Sequence, residues 1–278
     1  FAKPFRAHNA AVAQGVPWPR SKIFATGFEA GEPTVQLVAA DATAAPSKCW
    51  RGPSYSDEGG GLLPRLDDPG LRRSGPGMID FYAPGDGTLR ANGRELHIKG
   101  ANWFGTEGQH AVLYGLEKRS LDDLLAFLAA NGFNAIRLPL AYNHLLLNPT
   151  PAESLLSANL ELVGLDMFQL LTLVVEHAGA RGILILLDLH RLDSNVWPDP
   201  QGLWYSDSVS MPALQRAWDL LAKRFCGHWN VMGADLFNEP HGGTWDTGDT
   251  ATDWNLAAEQ LATGVLDRCS RWLVFVEG

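Results

Sequence analysis

The chain has 278 residues, of which 46% are hydrophobic and 19% charged, enough apolar material for one large core or two ordinary ones. Lys and Arg number 22 against 31 Asp and Glu, and the resulting charge of -9 is the wrong sign for a surface that collects phosphate backbones. No apolar run approaches the roughly 18 residues needed to cross a bilayer, and Phe1 heads no basic-then-apolar leader, so the start reads as processed or trimmed.

Residues 1–77 carry dense turn signals. Pro46 through Gly77 includes Gly52-Pro53 and Gly59-Gly60-Gly61 and shows little periodicity, while Thr34 to Val38 is apolar enough for one short strand. This part reads as an irregular, Gly/Pro-rich N-terminal extension, either an arm packed on the main domain or a small accessory unit. Cys49, Cys226 and Cys269 lie far apart and are odd in number, which allows one disulfide and a free thiol or three buried thiols.

From Met78 the texture becomes a regular alternation. Asn92-Gly93 predicts a hairpin turn, because both residues accept positive φ, and the second strand is expected to continue from Leu96 to Trp103. A helix is predicted over residues 120–130, with Ser120 as N-cap and Leu121, Leu124, Leu125 and Leu128 on one face. Further strands are expected at 133–138 (ended by Pro139), 183–189, 231–237 and 272–276, with helices at 165–181, 212–225 and 253–269. Ile183 to Leu187 is continuously apolar, as a parallel strand covered on both faces requires.

Five strands linked by four helices leave an open doubly wound sheet or a (β/α) barrel. Polar residues decide between them, because each strand finishes in a reactive or sugar-binding type: Asn102-Trp103, Arg137, Asp188 with His190, Asn238-Glu239, and Glu277. Groups from many successive strand ends converge most readily when those ends ring one mouth. No Gly-x-Gly-x-x-Gly follows the first strand, and no metalloprotease helix, nucleophile elbow or phosphate-binding loop is present.

Glu239 sits where a strand opens into its loop, a place where partial burial can keep a carboxyl protonated as a general acid. Asn238 beside it can donate to a sugar hydroxyl. Arg137, near the end of an apolar strand, needs carboxylate partners if buried. Trp103, Phe104, Trp197, Trp204, Tyr205, Trp245 and Trp254 fall after strand ends or near loops, and indole faces suit pyranose rings. His241 and Glu107 are further candidates for the groove wall.

Several stretches together resemble glycoside hydrolase family 5, the group of many endo-β-1,4-glucanases. They are Ile98 to Gly105, Asn134 to Pro139, Leu187 to Arg191, Leu203-Trp204-Tyr205, Asp235 to Pro240, Asp253-Trp254 with Ala257-Ala258-Glu259, and Phe275 to Gly278. The resemblance covers about residues 78–278 and implies an α/β fold, the (β/α)8 TIM barrel, of which the chain is expected to hold strands one to five.

By that resemblance Glu239 would be the general acid/base, Asn238 would hold a sugar 2-hydroxyl, Arg137 would steady the nucleophile's carboxylate, and His190 would bind sugar hydroxyls. Trp103, Glu107, Trp204, Tyr205, His241 and Trp245 would line the substrate, and Glu277 would take a supporting or substrate-lining role. No metal or other cofactor is implied, and the partner would be a β-linked polysaccharide, met outside the cell. Retaining hydrolysis needs a second carboxylate about 5 to 5.5 Å from the first, expected from a strand beyond Gly278. Five strands leave an open edge at residues 272–276, so a continuation, or a separate C-terminal polypeptide supplying strands six to eight, is also expected. The alternatives are a non-catalytic glycan-binding or scaffolding protein on the same fold, and a β-mannanase or related β-glycosidase.

Overall fold

The computed structural model describes residues 23–26 and 78–277. The small hairpin comes first among residues 78–277. Strand β3 (Leu89–Ala91) turns at Asn92 (φ 47°) and Gly93 (φ 82°) into β4 (Arg94–Leu96), and β2 (Phe81–Tyr82) pairs with β3 on its other side. Positive φ at both central residues is what a two-residue hairpin needs.

The apolar runs beyond it form one parallel sheet. Strands β5 (Gly100–Asn102), β6 (Ala135–Ala141), β7 (Leu184–Arg191), β8 (Val231–Asp235) and β9 (Leu273–Glu277) pair in chain order, each with the next. Helices α1 (Leu121–Ala130), α3 (Met167–Gly179), α4 (Met211–Phe225) and α5 (Trp254–Arg268) connect them, and a short α2 (Tyr142–Leu147) follows β6. Sequential neighbours with no reversal of strand order are the barrel-type arrangement and exclude a doubly wound sheet with a switch point. Two helix starts follow capping chemistry: Ser120 Oγ accepts from Asp123 N at 3.0 Å, and Asp166 and Gln169 cap each other's backbone amides at 2.8 and 2.9 Å.

Alternation along the strands sorts two layers. Ile136, Leu138, Ile185, Leu187, Ala234 and Val274 face the helices and join the larger core, in which Trp218, Trp254 and Trp272 are fully buried. The opposite face is graded along the strands. At its start Ala135, Leu184, Leu186, Met232, Leu273 and Phe275 pack against Ile79, Phe81, Leu96 and Ile98, so the small antiparallel sheet plugs that end. Further along the strands the same face carries Arg137, Asp188, His190, Asp235 and Glu277, all buried.

The expectation of strands one to five alone is corrected by β1 (Ile23–Thr26), which makes the parallel sheet six-stranded, in the order β1-β9-β8-β7-β6-β5. It pairs in parallel with β9, Ile23 opposite Val274 and Thr26 opposite Glu277. With the three-stranded sheet, nine strands are present among the described residues. The edge expected to lie open is therefore occupied by this same chain. That removes the reason for a separate polypeptide beside β9, since the backbone groups on its outer side already have partners. The strand expected at Thr34 to Val38, and Cys49, lie outside the described residues.

Two local expectations also change. Pro139 does not end β6, which runs through it to Ala141. The Pro139 carbonyl faces the side where β5 has already stopped and accepts from Thr106 Oγ1 at 2.5 Å, so the missing N–H leaves no ladder bond unmade. The strand expected from Leu96 to Trp103 is split between two sheets. Asn134 bridges the gap, accepting from Lys99 N at 2.8 Å and donating to the His97 carbonyl at 2.7 Å.

Cys226 and Cys269 form a disulfide across a sequence separation of 43, tying the C-caps of α4 and α5 together. A loop of that size constrains the unfolded chain, so reducing the bond is expected to lower stability by about 2–4 kcal/mol. Urea unfolding with and without reductant checks this, and coincident curves would rule it out.

Candidate active site

Arg137 is the hub of the mouth. It projects from β6 with 1% exposure, and its guanidinium meets a carboxylate from each of the next three strands. Nε donates to Asp235 at 2.8 Å, Nη1 meets Asp188 at 2.9 Å, and Nη2 meets Glu277 at 2.9 Å. Nη2 also donates to Asn238 Oδ1 at 3.0 Å, and Asn102 Oδ1 lies 3.5 Å from Nη1. A buried guanidinium is tolerable only with its donors filled in this way.

Each partner is positioned by strand geometry. Asp188 and Asp235 are register partners on β7 and β8, while Glu277 is the last residue of β9. Asp188 Oδ2 also meets His190 Nδ1 at 2.6 Å, two residues along the same face. A carboxylate partner assigns the proton to Nδ1 and leaves Nε2 as the nitrogen that can meet a ligand. The His190 ring stacks on Trp197 (5.1 Å, 21°) and meets the edge of Phe104 (6.0 Å, 79°). Trp197 in turn covers the Arg191 guanidinium at 4.7 Å.

Asn238 and Glu239 follow β8. Because Arg137 holds the Asn238 oxygen, the amide nitrogen Nδ2 is the free end, and it is buried with no hydrogen-bond partner among the described residues. A buried donor left open costs about 1–3 kcal/mol, a cost that a hydrogen bond from a ligand's acceptor would remove. Glu239 is half-buried at φ 44°, in the left-handed region that a non-glycine residue adopts at a cost of about 1–3 kcal/mol. Its backbone N–H donates to Glu277 Oε2 at 2.8 Å, and its carbonyl accepts from His241 N at 2.6 Å. Its own carboxyl makes no ion pair or hydrogen bond among the described residues.

Three carboxylates around one guanidinium leave an excess of negative charge. Burial alone would lower Arg137, but Asp188, Asp235 and Glu277 together hold its pKa above the usual value. Burial pushes Asp235 up to about 6, with Arg137 opposing and Asp188 adding to the rise. Burial and then the charge of Asp235 raise Glu277 well above the ordinary carboxylate range. Among the described residues no group of three or more His, Cys, Asp or Glu is arranged to hold a metal ion.

The sequence-predicted residues thus divide. Arg137, His190, Asn238, Glu239 and Glu277 come together in one bonded cluster. Glu277, with 2% exposure, sits beneath the mouth. Trp204 is 2% exposed and packs on Trp254 at 5.1 Å. Glu107 is also buried, accepting from Gly105 N at 2.6 Å and lying 3.9 Å from Arg191. Trp103 is half-buried and donates from Nε1 to the Tyr114 carbonyl, and Tyr205 donates its hydroxyl to the Ala251 carbonyl. Trp245 is 44% exposed on a loop whose amides and hydroxyls bond Asp253. His241 packs against Gly202, where a Cβ would meet its Nε2 at 2.4 Å, and Gly242 N donates to the Gly202 carbonyl, so the loops after β7 and β8 are joined. Sequence reasoning foresaw carboxylate partners for Arg137 but did not assign Asp188 to it. The signal was strand periodicity, since Asp188 and His190 share a face.

Comparison with known proteins places this geometry in context. Residues 89–278 match the family described as Cellulase (glycosyl hydrolase family 5). An endoglucanase of Paenibacillus polymyxa is 38% identical over 200 residues, covering 71% of this chain and 49% of that protein. The major extracellular endoglucanase of Xanthomonas campestris pv. campestris is 39% identical over 191 residues, covering 67% of this chain and 38% of its own length. Among solved structures, a cellotetraose complex of an endocellulase from Pyrococcus horikoshii superposes with a TM-score of 0.66 at 36% identity. It covers 72% of this chain and 57% of that one. The chain spans about half the length, or less, of the relatives it matches.

The raised Asp235 has a consequence for stability. Its contribution is fully present below the ordinary value of 3.8, declines as pH rises, and is lost above about 6. Asp235→Asn keeps an oxygen for Arg137 Nε and is expected to flatten the fall in stability between those pH values. Urea midpoints measured across that range check it, and an unchanged slope in the variant would contradict the assignment.

Proposed function

Since the chain belongs to the cellulase family, glycosyl hydrolase family 5, we propose that it serves an endo-acting, retaining hydrolysis of a β-1,4-glucan in which Glu239 is the general acid/base. The observation that carries this reading is the Asn238-Glu239 pair. A buried amide donor with no partner stands next to a half-buried carboxyl that no cation neutralises.

In the first step a carboxylate nucleophile would attack the anomeric carbon and form the bond to the enzyme, while Glu239 protonates the glycosidic oxygen as the bond to the leaving sugar breaks. In the second Glu239 would take a proton from the water that releases the glycosyl-enzyme intermediate. Asn238 Nδ2 would donate to the hydroxyl beside the reacting carbon, a bond that strengthens as positive charge develops on the ring. His190 would offer Nε2 to a further hydroxyl. Asp188, Asp235 and Glu277 are the buried ion-pair partners of Arg137, and this reading assigns the nucleophile to none of them. Trp197, Phe104 and Trp245 are exposed enough for sugar rings to stack on them.

Glucan as substrate is supported by the relatives, which are endoglucanases and an endocellulase. An extracellular setting is supported by the Cys226–Cys269 disulfide and by the relative named as extracellular. Among the described residues no helix is long and apolar enough to cross a membrane.

Glu239→Gln is expected to lower kcat/KM on cello-oligosaccharides by about 10²–10⁴-fold, with cellotetraose binding by calorimetry retained. Proton NMR of the first product should show the β anomer. An α anomer would make the reaction inverting, and cellotetraose binding without turnover by the unmodified protein would replace hydrolysis with glycan binding.

A further inference from the structure

Glu277 links Arg137 to the backbone of Glu239. Its Oε1 accepts from Arg137 Nη2 at 2.9 Å, its Oε2 accepts the backbone N–H of Glu239 at 2.8 Å, and its own carbonyl accepts from Trp254 Nε1. Both carboxylate oxygens are therefore engaged by the protein itself.

The residue it holds is the one that needs holding. Glu239 has φ 44°, a conformation that persists in a non-glycine residue only where its surroundings over-determine it. On the carbonyl side the restraint is local, from His241 two residues on. On the amide side it comes from Glu277, the end of a different strand. One guanidinium nitrogen thus sets both members of the pair. Arg137 Nη2 grips the Asn238 oxygen directly and reaches the Glu239 amide through Glu277.

We propose that Glu277 is a positioning residue for Glu239: its carboxylate, fixed by Arg137, holds the Glu239 backbone in the left-handed conformation that aims the Glu239 carboxyl at the mouth. This rests on the assignment of Glu239 as acid/base. A carboxylate is required because both contacts are donors, and Arg137, as the charged one, claims the single oxygen of an amide. Glu277→Gln therefore keeps the volume and the Arg137 bond but turns an NH2 toward the Glu239 N–H.

Two readouts test this on the whole chain. The first needs no activity. In the unmodified protein the Glu239 amide should resonate downfield in nitrogen-proton correlation spectra and exchange slowly with solvent. In Glu277→Gln it should move upfield and lose at least about tenfold in exchange protection, while the Leu236 amide, bonded to the Phe275 carbonyl, keeps its own. The second reads leaving-group dependence. Aryl cellobiosides with a poor leaving group, which need the acid, should lose at least tenfold in kcat/KM, whereas a dinitrophenyl glycoside, whose departure needs no proton, should lose less than threefold in the step that forms the intermediate.

An unprotected Glu239 amide in the unmodified protein, an amide unmoved by the substitution, or an equal loss on both substrates would overturn the proposal. If the unmodified protein hydrolyses neither glycoside, the functional reading fails, and the hold of Glu277 on Glu239 is then judged by the amide alone. Should Glu277→Gln not fold, Glu277→Asp is read the same way, since it keeps the charge beside Arg137 while drawing the carboxylate back by one methylene.

Discussion

A single buried guanidinium organises this protein's mouth. Arg137 has almost no exposure, and a charge so placed is stable only if its donors are filled by acceptors that are themselves anchored. β6 to β9 supply them in order: Arg137 from β6, Asp188 from β7, Asp235 from β8 and Glu277 from β9. The requirement runs both ways. Each carboxylate would be an uncompensated buried charge without Arg137, so the four strand ends are locked into one register by electrostatics as well as by backbone bonds.

The fold makes that arrangement affordable by grading one face of the sheet from apolar to charged. Near the strand starts the face is filled by Leu184, Leu186, Leu273 and Phe275 against the plug of β2 to β4. Two residues further along each strand the same face carries ions. Apolar packing below keeps water from reaching the cluster from beneath. The helices and fully buried tryptophans on the other face hold the strands together without any polar requirement. Electrostatics then makes the proton inventory of the cluster part of its structure, because three acids facing one base raise one another's proton affinity.

From that cluster the chemistry reaches outward through Asn238, His190 and the Glu239 backbone. None of these groups is placed by its own loop alone. Asn238 is oriented by Arg137, His190 by Asp188, and Glu239 by Glu277. The exposed rings of Trp197 and Phe104 are set against His190 in turn. The result is a rigid buried base carrying a more exposed rim.

Much of this was legible in the amino-acid order, because short-range chemistry decided it. The Asn92-Gly93 turn, the Ser120 cap, the alternation of apolar strands with amphipathic helices, and reactive residues at successive strand ends all act within a few residues of themselves. So did the identity of Arg137, His190, Asn238 and Glu239 as candidates. Contacts made across the fold were decided by the tertiary structure. The strand Ile23–Thr26 lies in a segment of turn signals and finds its partner at β9, roughly 250 residues along the chain, a pairing with no local signature. Pro139 could continue a strand only because its neighbour had ended, and Trp204 could be buried only because Trp254 packed on it. The role of Glu277 likewise depends on which atoms its two oxygens meet. Composition and spacing name the groups that can react, but burial and the partner of each atom, set by strands far apart in sequence, decide which of them are left open and which hold the others in place.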